Sequence, residues 1–84
     1  MKVRLIEFVP CTGFGLVGRS ANLLDPRGNS LGVGYGVTDE EAVLEALMAS
    51  GLSYDHAFDL VGETIKQAQI YREEREFLVG EFPA

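Results

Sequence analysis

Cys11 and His56 are the chain's only cysteine and only histidine, so nucleophilic chemistry would have to begin with them. A cysteine nucleophile needs a neighbouring base or a positive environment to become thiolate. Cys11 stands in the turn-like run Pro10-Cys11-Thr12-Gly13-Phe14-Gly15, as an exposed thiol or as a small turn residue. His56 lies far along the sequence, so a Cys-His pair would depend entirely on the fold. His56, Asp59 and Glu63 recur at spacings of three and four and share one helical face, which can hold a metal weakly. No second ligand cluster completes such a site, and no metal is expected. Asp55 and Asp59 form an i,i+4 acidic pair that reads as surface charge rather than as paired catalytic carboxylates. Gly32, Gly34 and Gly36 precede a helix, as phosphate-cradling glycines do, but with neither the G-x-G-x-x-G nor the P-loop spacing. No lysine follows, and Asp39, Glu40 and Glu41 would repel phosphate. The sequence therefore assembles no catalytic set, and no cofactor is expected.

The charge is divided along the chain. Residues 1–38 carry Lys2, Arg4, Arg19 and Arg27 against Glu7 and Asp25, a net of +2. Residues 39–84 carry 11 carboxylates against Lys66, Arg72 and Arg75, a net of −8 that exceeds the overall −6. An acidic half argues against generic nucleic-acid binding through that half. It suits a basic protein partner, self-association of unlike faces, or simply a solvated helix surface. A single cysteine leaves no internal disulfide, which fits a reducing compartment, and the cytoplasm is the expected location. No apolar run approaches the roughly 18–20 residues of a membrane span, and no membrane partner is expected. Met1 to Pro10 lacks a signal-peptide core and reads as a first strand.

The elements that must position these residues follow from periodicity. Eighty-four residues make one domain, expected to span 1–84 as β-β-β-α-α. Lys2 to Val9 is rich in β-branched and aromatic residues and stops at Pro10. Phe14 to Leu24 is a second strand in which Gly15 and Gly18 suggest bulges. Asp25-Pro26-Arg27-Gly28-Asn29 has hairpin-loop chemistry. From Leu31 to Val37 apolar residues alternate with Gly32, Gly34 and Gly36, the mark of a third strand. Three glycines on one face ask for something that comes close: a helix backbone, a partner chain or a ligand.

Thr38 and Glu41 form a capping box, so a first helix runs from Asp39 to Ser50 and ends at Gly51. Ser53 or Asp55 restarts the chain. Tyr54, Ala57, Phe58, Val61, Ile65, Ala68 and Tyr71 predict a second amphipathic helix to about Glu76, crossing the sheet. Gly62 inside it costs about 1 kcal/mol against alanine and marks a bend or a close contact. Phe77, Leu78, Val79 and Phe82 form an apolar tail that must pack on the domain or on a partner. Gly51-Leu52-Ser53, with Leu47, Ala57 and Leu60 around it, has helix-turn-helix spacing. The second helix would then present Tyr54, Asp55, His56 and Asp59 to phosphates. Aspartates there favour an αα-corner instead.

The strand-to-helix junction resembles two related families. Gly34-Tyr35-Gly36-Val37-Thr38-Asp39-Glu40-Glu41-Ala42 is similar to the G-x-G-x-[ST]-K-K-x-A pattern of double-stranded-RNA-binding domains. Asp39 and Glu40 stand where that pattern has phosphate-holding lysines, so the resemblance implies the fold without the RNA contact. Gly36, Thr38, Glu40, Glu41 and Ala42 also reproduce the G-x-T-x-E-E-A junction of HicB-like antitoxins, whose usual Pro-x-x-x-Gly-Cys stretch is missing here. Both resemblances are confined to residues 34–47.

The expected fold is α+β: a three-stranded antiparallel meander followed by two helices on one face. Leu5, Val9, Leu16, Val33, Tyr35, Val37, Leu47, Phe58, Val61 and Ile65 form the expected core. The expected function is a small non-enzymatic protein-binding regulator or inhibitor, antitoxin-like or phage-encoded. It would meet a basic partner through Tyr54, Asp55, Asp59 and Glu63. The alternative is a nucleic-acid-binding module tracking a strand with Lys2, Arg4 and Arg19 beside Phe14 or Tyr35. A Cys11-dependent enzyme comes third. Homodimerisation is compatible with each.

Overall fold

The computed structural model describes residues 2–13, 16–74 and 77–78 of the chain. It is an α+β fold in the order β1 (Leu5–Gly13), β2 (Leu16–Leu24), β3 (Ser30–Gly36), α1 (Asp39–Ala49), α2 (Tyr54–Gln67), β4 (Gln69–Arg72) and β5 (Phe77–Leu78). The first three strands form the antiparallel meander that the sequence predicts. The β2–β3 turn is closed by Asp25, whose Oδ1 accepts from the backbone of Arg27 and Asn29 at 2.9 Å each, and by Gly28 at φ +84°.

The sheet is larger than the meander. Its order is β3-β2-β1-β4, and β5 pairs with β1 beyond the end of β4. Both late strands run parallel to β1, with Leu5 opposite Gln69 and Cys11 opposite Phe77. The second helix therefore ends at Gln67, well short of Glu76, because Ala68 is already extended. Ala68 and Tyr71 continue the helical spacing by coincidence, but from Gln69 on the backbone completes the free edge of β1. Where β4 stops has a visible cause. Gln69 N donates to Arg4 O at 2.8 Å and Glu73 N to Phe8 O at 2.9 Å, so even-numbered residues of β1 face this neighbour. The next even position is Pro10, which has no N–H to give. Cys11, Thr12 and Gly13 belong to β1 rather than to a turn, and the register passes through Gly18 without a bulge. Gly18 is a glycine because the Gly36 carbonyl oxygen lies 2.6 Å from where its Cβ would be, with the Tyr35 hydroxyl beside it at 2.9 Å. The one irregularity falls at Leu23/Leu24. Gly15, Val79 and Phe82 lie outside the described residues.

Both helices lie on one face, and α1 covers β3 and β2 while α2 packs against α1. The face that α1 covers is the glycine face. A Cβ on Gly32 would strike Ala46 O, one on Gly34 would strike Ala46 N and Ala42 O, and one on Gly36 would come within 2.6 Å of Ala42 N. The helix thus rests almost directly on the strand backbone. This inverts the expected core. Val33 and Val37, on the opposite face, are each 54% exposed, and Tyr35 is only half-buried. In β1 the inward residues are Ile6 and Phe8, while Leu5 and Val9 are half-buried on the open face. The observed core joins Ile6, Phe8, Ala21 and Leu23 of the sheet to Ala42, Val43, Ala46 and Leu47 of α1 and Ala57 and Val61 of α2. Leu47 and Val61 are in it as expected, Ile65 packs at its margin, and Phe58 stands in solvent. The side chain of Leu16 is outside the described residues.

Gly34→Ala places a methyl inside two helix peptide groups, so α1 must lift off the strand. The expected loss is about 3 kcal/mol or more, as for an overpacked core that cannot relax. A urea unfolding curve measures it, and the neighbouring Val33→Ala on the exposed face should change stability by less than about 1 kcal/mol.

Candidate docking surface on the helical layer

α2 begins at Ser53, whose Oγ accepts from His56 N at 3.3 Å. The helix turns Ala57 and Val61 to the core and the opposite arc to water. On that arc lie all four residues expected to meet a partner. Asp55, Asp59 and Glu63 are exposed, and Tyr54 is 54% exposed. The structure adds Phe58, 61% exposed and stacked on Tyr54 with ring centroids 6.0 Å apart. Leaving two adjacent aromatics in water forgoes the burial that most such side chains obtain. The sequence holds the signal for this pair, aromatics at i and i+4 with acids interleaved, but the same spacing also describes a core stripe.

Beside Phe58 the two helices leave a groove of about 320 Å³, lined by Glu40, Glu41 and Leu44 of α1 and Phe58, Val61 and Gly62 of α2. Its surface is almost wholly apolar. Glu41 is fixed by the helix cap: its Oε2 accepts from Val37 N at 2.9 Å, and its own N–H donates to Thr38 Oγ1 at 3.2 Å. Glu40, Glu45, Asp55, Asp59 and Glu63 are exposed around the same layer, with Lys66 the cation on the α2 arc.

The first turn of α1 is held by a charge bracket that sequence reading does not reach. Asp39 accepts from Arg19 of β2 at 2.8 Å and from Arg72 of β4 at 2.7 Å. The Arg72 guanidinium also lies 4.8 Å above the Phe8 ring centroid. The bond to Arg72 holds the Asp39 carboxyl below its ordinary 3.8; partial burial opposes this and Arg19 reinforces it. Asp39 in turn raises Arg72 above its ordinary value. The role of Arg72 depends on β4, a strand where the sequence predicts the end of the second helix.

The other candidates separate. Cys11 is fully buried on the sheet, its Sγ donating to Val9 O at 3.4 Å, so it is not an exposed thiol. His56 is exposed on α2. Among the described residues no group of three His, Cys, Asp or Glu stands close enough to hold a metal ion. Arg19 is engaged by Asp39 on the helix side, whereas Tyr35 lies on the opposite sheet face, so these two do not share a strand-tracking surface. Phe14 lies outside the described residues. Gly32, Gly34 and Gly36 meet a helix of their own chain rather than a ligand or partner. Among the described residues no helix is long and apolar enough to cross a membrane. Compared with known proteins, the chain matches no family model, no curated protein and no solved structure.

Two outcomes check this geometry. Asp39→Asn should cost about 1–2 kcal/mol near neutral pH, water screening holding the figure down. Because the folded carboxyl titrates below 3.8, its contribution is complete above that pH and is lost as pH falls through the lower folded value. Wild type and Asp39→Asn should therefore converge in stability on acidification, read by thermal unfolding from pH 6 down to about pH 2. Cys11 should react with a thiol reagent no faster than the protein opens, with full reactivity in denaturant.

Proposed function

We propose that the chain is a small non-enzymatic protein-binding module, a regulator or inhibitor of a basic protein. It docks through the outer face of its helical layer. The observation that carries this reading is the stacked Tyr54–Phe58 pair standing in water amid carboxylates. Exposed tyrosine and phenylalanine on a rigid helix supply contact area at little entropic cost, the usual makeup of an interface anchor. Asp55, Asp59 and Glu63 supply a rim of one sign that steers a cationic partner and selects its orientation. The resemblance of residues 34–47 to HicB-like antitoxins is consistent with this role and adds a junction, not a partner.

The carboxylates of α2 are the part of the reading most directly open to test. A tagged chain is used to capture its partner from host lysate with and without nuclease treatment, and the purified pair is titrated over a salt series. Asp55→Lys, Asp59→Lys and Glu63→Lys together should weaken binding at least tenfold at low salt and flatten the salt dependence. Unchanged affinity and slope would refute the acidic-face reading. Co-purifying nucleic acid that disappears with nuclease, and no protein, would refute it as well.

A further inference from the structure

Among the described residues nothing accounts for Gly62. It sits in the interior of α2, where glycine is the least favourable residue short of proline. The other glycines whose surroundings are described are there because a backbone presses on them, as α1 does on Gly34, or because φ is positive, as at Gly51. Neither holds for Gly62: its φ is not positive, and no described residue lies within 4 Å of where its Cβ would stand. What its missing side chain does is open the groove between α1 and α2. Gly62 exposes bare helix backbone in that groove beside Phe58, Val61 and Leu44. A space that the described residues leave open at a cost to their own helix is a space shaped for an occupant.

We infer that this groove receives the apolar anchor of a basic amphipathic helix, seated on Gly62 and against Phe58. The inference rests on the protein-binding reading above and names the partner element that the same surface takes. The apolar lining calls for a hydrocarbon side chain, and a glycine lets a third helix approach two others more closely than any other residue does. Charge selects the rest of the occupant. Glu40 and Glu41 stand at the α1 side of the groove, and Asp55, Asp59 and Glu63 continue around α2. An acidic or neutral helix would meet repulsion or no steering, and a second copy of this chain would bring its own −6. The matching element carries leucine-like residues at i, i+4 and i+7 with arginine or lysine on both flanks.

The test separates the groove from the charged rim. The probe is a synthetic, fluorescently labelled helix of about 15 residues with a leucine stripe flanked by arginines; its control has glutamine in place of every leucine. Binding to the full chain is followed by anisotropy at about 50 mM salt, where the rim charges are only partly screened. The leucine probe should bind at least tenfold more tightly than the control. Gly62→Ala should raise Tm by about 4–8 °C, since the position is open and helical, and yet weaken probe binding severalfold. Gly62→Leu should abolish the preference for leucine over glutamine while the fold, checked by circular dichroism, is kept. A more stable protein that binds less well is a result that a structural glycine does not give. If both probes bind alike, or if the Gly62 variants bind as wild type does, the groove inference is overturned; binding that still depends on salt and on Asp55, Asp59 and Glu63 leaves the acidic-face reading intact. No binding at about 100 μM, a concentration well above the micromolar range of modest complexes, also overturns the inference. A wild-type dimer that becomes monomeric in Gly62→Leu, seen by sedimentation, assigns the groove to a second copy instead.

Discussion

The rest of this protein is built on two backbones that meet with no side chain between them. Gly32, Gly34 and Gly36 let α1 lie on β3 with no side chain between them, at Ala42 and Ala46. The other positions of the layer follow from that height. Alanines suffice on the underside of α1, and Val43 and Leu47 reach beyond the strand to the rest of the core. The helix N-terminus is low enough for Asp39 to meet Arg19 from one strand and Arg72 from another two places away across the sheet. α2, which packs on α1, inherits the same placement, and so does the groove between them.

Glycine serves opposite ends in the two layers. On β3 it removes side chains so that the chain can fill the space itself. On α2 it removes one so that the space stays open. Around that opening the protein keeps Tyr54 and Phe58 in water and sets carboxylates of both helices nearby. These features weaken the isolated fold or leave it unimproved, and they share one face. Their coincidence gives the protein-binding reading its weight. Cys11, the residue with the most inherent reactivity, is by contrast sealed in the sheet.

The elements written in local chemistry were legible in the sequence: the three strands of the meander, the Asp25–Asn29 turn, the Thr38 and Ser53 caps and the Gly51 stop. Each depends on residues within four of one another. The facing of the strands was not legible from the same data. Leu31, Val33, Tyr35 and Val37 look like a core stripe by hydropathy, and only the closeness of α1 makes the glycine side the inner one. β4 was missed because Gln69–Arg72 is exposed and prolongs the apolar spacing of α2; its status as a strand comes from a vacancy beside β1. On the site, Asp55, Asp59 and Glu63 were visible as a charged arc. Phe58 was assigned inward because an amphipathic pattern cannot tell a core aromatic from one held out for contact, and the Asp39 bracket joins residues brought together only by the sheet.

The parallel pairing of β4 with β1 also sets an order of assembly. β1, β2, β3 and α1 follow one another through short connections, so the meander and its helix can form from contacts near in sequence. Leu5 and Gln69, by contrast, are 64 positions apart and meet only when the last quarter of the chain arrives. Closing so long a loop is entropically costly before any reward, which places this pairing late in folding. Until then one edge of β1 is bare, with its N–H and C=O groups open to other extended chains. During synthesis, for the stretch Leu5–Phe8, that interval lasts until Arg72 has left the ribosome and can clasp Asp39. The bracket thus joins a late-arriving strand to a helix seated earlier, and marks the point at which the Leu5–Phe8 stretch of that edge is closed.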